Sequence, residues 1–397
     1  MSPFRRIVAA VALLSVTAAF PATRQRAVHP PSAPAVTPAA WLASHAYRLD
    51  DMSGLRAVVG DSKIVALGDD THGTHEFFDL KLKMIQYLVR EMNFTTVAFE
   101  APFADFNRIN TYVLGGPGDP GQLLLHREIG YWFWASGEIL DTIEWMREYN
   151  QTRGDRPPVE IAGFDVTDDV GAGAIAVAYI NTVDPAFPID NMDLVRQHLT
   201  AHETAFVSVT SQRAFDAALQ AATVAAEATR APTPLQEYFP WRDKNMAANA
   251  AQLQQRRSSN GRIILWGHQE HLGRTVNIQS AKPMGKWLEE RFAADYFVIG
   301  SSAGGGAFNV LAYPNLQLTT TARFTPIADD DYESDFRSAA ISPTLVPLRG
   351  SLPDWLSGPH HLRGGTAVTP YDKEEDLKAK FDAIVYIDQT TRSNNFW

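Results

Sequence analysis

The sequence lacks cysteine altogether, which excludes disulfides, thiolate metal sites and a cysteine nucleophile. Basic residues are also scarce. The 35 Lys and Arg stand against 45 Asp and Glu, and the net charge of −10 argues against the basic face that nucleic-acid binding requires. Beyond residues 7–20, no segment is apolar enough to span a membrane. The sequence therefore predicts neither a nucleic-acid partner nor stable membrane insertion of the mature chain.

The first forty residues are typical of targeting and of a tether rather than of a folded domain. Two arginines precede the apolar stretch 7–20, and small residues follow it, which predicts a signal peptide over 1–22 and a secreted or periplasmic protein. An uncleaved anchor is the alternative interpretation. Residues 23–40 are rich in Pro and Ala, as extended tethers are. We predict a single folded domain over 41–397.

Six short segments are apolar on both faces and bounded by Gly, Asp or Asn, as buried parallel strands are. They are 63–68, 96–100, 159–165, 262–267, 296–300 and 382–388. Apolar residues at helical spacing predict a helix from Phe77 to Met92, with Lys81 on its polar side, and another over 136–149. This alternation predicts an α/β fold with a mostly parallel central sheet flanked by helices. Residues 185–258, rich in Ala and Gln, predict a helical insertion lobe.

Carboxylate and imidazole side chains follow four of the predicted strands. They are Asp69, His72 and His75, then Glu100, then Asp165, and finally His268 and His271. Because the carboxyl ends of parallel strands share one edge of a sheet, where α/β proteins bind ligands, we predict an active-site cleft there. Each residue alone is as readily a helix cap, an ion pair or a hydrogen-bonded core group. Asp69 or Asp70, for example, could cap the helix that follows.

These residue types suit the activation of a water molecule. Histidine can take a proton from water, and a carboxylate at its other nitrogen supports the imidazolium that forms. A second histidine or an arginine can stabilise the developing oxyanion. Because no G-x-S-x-G nucleophile elbow is present, direct attack by water is the simpler hypothesis.

Two further residues are predicted to reach the cleft and bind substrate. Arg242 begins a helical segment, and the alternative for it is a surface ion pair with Asp243. Trp134 ends the aromatic run 131–134, in which most rings are expected in the core and one or two could line an apolar wall.

Metal binding is the main chemical alternative. His72 and His75 are three residues apart, as are His268 and His271, and such pairs with carboxylates can bind zinc. Neither pair has the HExxH pattern of a metalloprotease helix. We therefore expect no metal and no cofactor, with a metal-dependent hydrolase kept as the alternative.

The motifs that contain these residues resemble those of the erythromycin esterase-like family. They are GDDTHGTHEF over 68–77, AFE over 98–100, GFD over 163–165, the R-D-x-x-M-A-x-N pattern over 242–249, and WGHQEH over 266–271. The resemblance spans nearly the whole mature chain in order. It implies an α/β fold with a helical lobe and a deep cleft, and hydrolysis of a carboxylic ester or lactone without an obligatory metal. A macrolide is the candidate substrate.

The resemblance also implies roles for individual residues. His72 would be the general base, Glu100 its carboxylate partner or a neighbour, and His268 would hold water or the carbonyl, with His271 nearby. Asp69 takes the place of a family Glu, and this shortens the side chain by one methylene. The same broad fold resembles haem- or iron-associated lipoproteins, so an exported haem-binding protein is a further alternative.

Overall fold

The computed structural model describes residues 36–125, 132–277, 280–311 and 319–396. The predicted signal peptide over 1–22 and most of the tether lie outside these residues, and the predicted domain boundaries stay predictions. The first described helix, Pro38–His45, already starts inside the predicted tether and buries Trp41 and Leu42. No helix in the described ranges is long and apolar enough to cross a membrane.

The described residues form twelve strands. These are β1 (Tyr47–Arg48), β2 (Ile64–Asp69), β3 (Thr96–Pro102), β4 (Glu160–Asp165), β5 (Ile263–His268), β6 (Tyr296–Ala303), β7 (Ala307–Leu311), β8 (Thr319–Arg323), β9 (Thr344–Pro347), β10 (His360–Gly365), β11 (Pro370–Glu375) and β12 (Ala383–Ile387). Eight of them form one sheet in the order β1-β9-β12-β6-β2-β5-β3-β4. From β12 to β4 all pairs are parallel, whereas β9 and β1 are antiparallel at one edge. The predicted α/β class and all six predicted strands are confirmed.

The sheet is covered on both faces, which explains why its strands are apolar at both odd and even positions. In β2, Val65 and Leu67 belong to one hydrophobic cluster, and Ile64 and Ala66 belong to the other. All six residues of β2 are buried. A strand in this position has no solvent-facing side, so it carries no alternation of polar and apolar residues.

Fifteen helices are described besides short 3-10 turns. They are α1 (Pro38–His45), α2 (Gly54–Val59), α3 (His75–Met92), α4 (Phe103–Val113), α5 (Pro120–Leu125), α6 (Gly137–Thr152), α7 (Asp169–Val183), α8 (Met192–Ala201), α9 (Glu203–Val209), α10 (Gln212–Ala228), α11 (Leu235–Arg256), α12 (Gln269–Leu272), α13 (Met284–Phe292), α14 (Tyr332–Ser338) and α15 (Leu377–Lys380). The two predicted helices correspond to α3 and α6. Helices α7 to α10 supply a separate hydrophobic cluster, and α7 begins earlier in the chain than the predicted start of the lobe at residue 185.

Two hairpins, β7–β8 and β10–β11, lie outside the central sheet and were not predicted. Hairpin β10–β11 contacts the end of β2. The backbone N–H of Gly365 donates to the carbonyl of Asp70 at 3.1 Å. The β7 strand approaches the loop after β2 so closely that a Cβ on Gly73 would lie 2.2 Å from the carbonyl oxygen of Asn309. Glycine at position 73 is therefore a packing requirement.

Candidate functional site

The carboxyl ends of β2, β5 and β3 bring three of the predicted residues together. The ring centroids of His72 and His268 are 4.8 Å apart. The backbone N–H of His268 donates to Oε2 of Glu100 at 2.8 Å. This follows from the strand order, in which β5 lies between β2 and β3.

The ring of His72 is held between aromatic and acidic neighbours. It stacks on Phe133 with centroids 4.0 Å apart and an interplanar angle of 3°. Its Nδ1 lies 3.6 Å from Oδ2 of Asp69 and makes no hydrogen bond. Asp69 is thus the carboxylate that faces Nδ1 of His72, and Glu100 is a neighbour, one of the two positions that the family resemblance implied for it.

Asp69 is fully buried and anchored by two donors. Lys81 donates to its Oδ1 and, at 2.7 Å, to the carbonyl of Leu67, and Trp266 donates through Nε1 to Oδ2 at 3.1 Å. Burial lowers the pKa of Lys81 to about 8, although the charge of Asp69 opposes that shift. The prediction that Lys81 lies on the polar side of its helix was wrong. Its spacing of three or four residues from Phe77, Phe78 and Met84 places it on the apolar face.

Arg242 lies behind these residues and joins two carboxylates. It donates through Nε to Asp165 at 3.1 Å and through its NH2 group to Oε1 of Glu100 at 2.7 Å, and its side chain is 4% exposed. Burial alone would raise the pKa of Glu100, but electrostatic interactions with His271, Arg242 and His72 outweigh burial and hold that pKa far below its ordinary value. The surface ion pair considered for Arg242 is therefore not what the structure shows.

His271 completes the cluster on the side of Arg242. Its Nδ1 bonds Oδ1 of Asp243 at 2.8 Å, and its Nε2 lies 3.0 Å from the NH1 group of Arg242. Because the guanidinium can only donate, Nε2 accepts and Nδ1 carries the hydrogen. Burial lowers the pKa of His271, but Asp243 and Glu100 together raise it above its ordinary value. Both ring nitrogens of His271 therefore already have partners.

The ring of His268 is likewise held by backbone groups. Nε2 lies 3.0 Å from the carbonyl of Gly365, and Nδ1 accepts the N–H of Glu270 at 3.2 Å. These partners define a neutral ring with its hydrogen on Nε2. Burial, reinforced by the neighbouring His72, lowers the pKa of His268 to about 4. His268 therefore presents an N–H donor rather than a base.

His75 and Trp134 do not take the predicted positions on the wall of a cleft. Nδ1 of His75 bonds Glu138 at 2.6 Å, and Glu138 in turn accepts the backbone N–H of Asn394 at 3.0 Å. His75 thus contributes to the contact between α3, α6 and the carboxyl-terminal segment. Trp134 is fully buried and donates through Nε1 to the carbonyl of Glu100 at 2.9 Å. It supports β3 from within the core, while Phe133 supplies the ring against His72.

The side chains of this cluster are nearly closed to solvent. Among the described residues, His72 is 6% exposed, His268 5% and Glu100 2%, so the predicted deep cleft is closed over these side chains in this conformation. Hairpin β10–β11 contributes to the closure, because Tyr371 on β11 donates to Oδ1 of Asp70. Gln269 on α12 donates to the same oxygen. Burial raises the pKa of Asp70 well above its ordinary value. Neither Asp69 nor Asp70 caps α3, whose N-cap residue is Thr74.

Neither predicted histidine pair is arranged to hold a metal ion. His75 bonds Glu138, and both nitrogens of His268 and of His271 bond protein groups. Among the described residues, Nδ1 of His72 is buried without a hydrogen bond. The geometry of the cluster favours acid–base chemistry by imidazole and carboxylate over a zinc site built from these pairs.

A doubly covered α/β sheet with imidazoles and carboxylates at the carboxyl ends of neighbouring strands is an arrangement suited to a hydrolytic enzyme. The sequence model of the erythromycin esterase family matches residues 89–192 and 189–390. The chain belongs to the erythromycin esterase family, as its motifs predicted. Membership supports a hydrolase of the ester or lactone type that acts on a small molecule.

Individual proteins extend this likeness. Erythromycin esterase type II of Escherichia coli is 33% identical over 125 residues, which are 31% of this chain and only 28% of that protein. A solved Bacillus cereus structure has a TM-score of 0.78 at 22% identity and covers 91% of this chain and 98% of its own. A mutant of the erythromycin esterase EreC in its open conformation has a TM-score of 0.65 at 18% identity, over 87% of this chain and 95% of its own. At these identities the two structures show the shared fold.

Proposed function

We propose that the protein hydrolyses a carboxylic ester or lactone, with a macrolide-type lactone as the candidate substrate, by attack of a water molecule activated at His72. The observation that carries this proposal is the placement of His72 between Asp69, 3.6 Å from Nδ1, and the N–H donor His268, with ring centroids 4.8 Å apart. A base, a carboxylate that supports its charged form and a donor for the carbonyl thus share one end of the sheet.

In this proposal a proton passes from the attacking water to His72 and then to the departing alkoxide. Nε2 of His72 takes a proton from water as the water oxygen bonds to the carbonyl carbon, and Asp69 stabilises the imidazolium through Nδ1. The imidazolium then returns the proton to the departing alkoxide oxygen as the ester bond breaks. The products are a carboxylic acid and an alcohol, joined in one molecule if the substrate is a lactone.

His268 is proposed to bind the carbonyl that is attacked. Its Nε2–H already bonds a carbonyl oxygen, that of Gly365, at 3.0 Å. A substrate carbonyl is the same kind of acceptor, so it could take the place of Gly365 when hairpin β10–β11 moves outward. Such a movement would also open the cluster, which is closed in this conformation. Arg242, whose donors bond Asp165, Glu100 and His271, is proposed to hold these groups in place rather than to touch the substrate.

The proposal is tested by incubating the purified protein with macrolides, simple lactones and activated esters, and by measuring the gain of one water by mass spectrometry. His72→Gln is expected to abolish turnover of whichever substrate responds, and exposed His202, changed to Gln, serves as the matched control. Circular dichroism checks that both variants fold. Turnover retained by His72→Gln would exclude His72 as the base.

We also propose that residues 1–22 direct export, because the two arginines and the apolar stretch 7–20 have the composition of a signal peptide. Expression of the full chain followed by fractionation and amino-terminal sequencing tests this. Recovery of an intact amino terminus in the cytoplasm would contradict it.

A further inference from the structure

A second cluster of potential metal ligands lies away from the strand ends, between α14 and hairpin β10–β11. It consists of Asp331, His361 and Asp372, and one potential ligand atom from each lies within 4.8 Å of those of the other two. The backbones of Asp331 and His361 form a parallel bridge, and Asp372 is on the strand that pairs with that of His361. Three separate stretches of the chain therefore meet at this point.

Two buried atoms of the cluster make no hydrogen bond. Nδ1 of His361 donates to Asp372 at 2.6 Å, so Nε2 presents a lone pair when the ring is neutral, and this atom is buried without a partner. Oδ1 of Asp331 is also buried without one, whereas Oδ2 accepts the N–H of Ala328 at 2.8 Å. His361 is 8% exposed and Asp331 2%. Burying such acceptors without a partner is unfavourable, and a bound cation would satisfy both of them.

The charges around the cluster also favour a cation. Asp331 and Asp372 contribute negative charge, and Arg363, 3.2 Å from Asp331, supplies one positive charge. A carboxylate bonded to one nitrogen of a histidine, with the other nitrogen presented to an ion, is a common arrangement in metal sites. Mixed imidazole and carboxylate ligands suit zinc better than magnesium or calcium, which prefer oxygen alone.

We propose that Oδ1 of Asp331 and Nε2 of His361 bind one divalent ion of the zinc type, with Asp372 orienting the imidazole through Nδ1. The ion would fasten hairpin β10–β11 to the start of α14. Ligand atoms around zinc lie about 2.0–2.2 Å from the ion, so modest side-chain rotations would close the observed spacing onto it. The site is structural. The site is separate from the cluster at the strand ends. Gly365, which bonds His268, follows His361 by four residues on β10, about 13 Å in an extended strand.

The test uses the full chain, stripped of metal with a chelator and titrated with Zn²⁺ by isothermal calorimetry. One Zn²⁺ is expected to bind per chain and to raise the melting temperature. Asp372→Asn, whose side chain is 40% exposed and therefore tolerant of change, and His361→Gln should each weaken Zn²⁺ binding at least tenfold. The matched control is His360→Gln, which changes the neighbouring histidine on the same strand and should leave the affinity unchanged.

Four results would overturn the proposal. The first is the absence of stoichiometric Zn²⁺ binding. The second is unchanged affinity in both Asp372→Asn and His361→Gln, with their folds verified by circular dichroism before zinc is added. The third is tighter binding of Ca²⁺ or Mg²⁺ than of Zn²⁺. Loss of binding in His72→Gln alone would place the ion at the strand ends and would also contradict it. These outcomes are independent of whether the protein hydrolyses an ester.

Discussion

Nδ1 of His72 lies 3.6 Å from Oδ2 of Asp69, and the other oxygen of that carboxylate accepts a hydrogen bond from Lys81. One buried carboxylate therefore serves two cationic or potentially cationic partners. Lys81 and Trp266 fix its position, and its negative charge remains close enough to stabilise a protonated His72.

Asp69→Asn is expected to lower turnover by at least ~10²-fold, because the amide cannot stabilise the imidazolium. It should also lower the free energy of unfolding by about 3–5 kcal/mol, because Lys81, 3% exposed, loses its counter-ion in the core. The ratio kcat/KM and urea unfolding measure the two effects.

The double variant Asp69→Asn with Lys81→Met separates catalysis from folding. Removing both charges should restore much of the stability, since a buried pair replaced by uncharged groups is often close to neutral. Turnover should stay low. If turnover returned together with stability, Asp69 would have only a structural role.

Arg242→Met is expected to destabilise the protein by about 3–5 kcal/mol, since it leaves Glu100 and Asp165 buried without their shared counter-ion. Arg213→Met is the matched control. Arg213 also binds a carboxylate, Glu160, at 3.0 Å, but its side chain is 53% exposed, and its loss should cost less than about 1 kcal/mol. Similar losses in both variants would show that the buried cluster is not a special source of stability.

Trp134→Phe is expected to cost about 1–3 kcal/mol more than Trp145→Phe. Both changes remove the same ring atoms from a buried site, but only Trp134 has a hydrogen bond from Nε1 to lose, to the carbonyl of Glu100. Denaturant unfolding of the two variants measures the difference. Equal losses would mean that the bond to β3 contributes little.

The sequence predicted the central strands well because burial on both faces leaves a simple signal, a short run of apolar residues with turn residues at its ends. Hairpin β10–β11 has no such signal. Its sequences HHLRGG and PYDKEE are polar, and they are held by buried ionic and hydrogen-bonded contacts, such as that of Lys373 with Glu270 at 2.8 Å. Periodicity of apolar residues does not report contacts of that kind.

Within the candidate site, strand ends were predictable but strand order was not. Glu100 lies near the end of β3 and Asp69 ends β2, with β5 between these strands, so Asp69 is the carboxylate that faces Nδ1 of His72 and Glu100 is a neighbour. The charge of Lys81 predicts the polar face of its helix, whereas its spacing from Phe77 and Met84 predicts the apolar face, where the structure places it. A buried lysine is rare enough that only the structure shows the counter-ion that permits it.

His268 makes the stability of the protein depend on pH in a defined direction. Its pKa is about 4 in the folded protein and 6.5 in the unfolded chain, so the unfolded state binds more protons between these values. Stability from this residue is therefore fully present above pH 6.5 and is lost as the pH falls through 4, by roughly 3 kcal/mol in all. We expect the free energy of unfolding, followed by urea titration at pH 7 and pH 4, to fall accordingly.

His268→Gln isolates this contribution from that of the carboxylates, which titrate in both proteins. A glutamine amide can still donate to Gly365 but cannot gain a proton, so the decline between pH 7 and pH 4 should be smaller in the variant by about the same 3 kcal/mol. His202→Gln should keep the decline of the unmodified chain, because His202 is exposed. An identical decline in His268→Gln would mean that His268 takes up its proton equally well in the folded state, and its pKa would then not be lowered by burial.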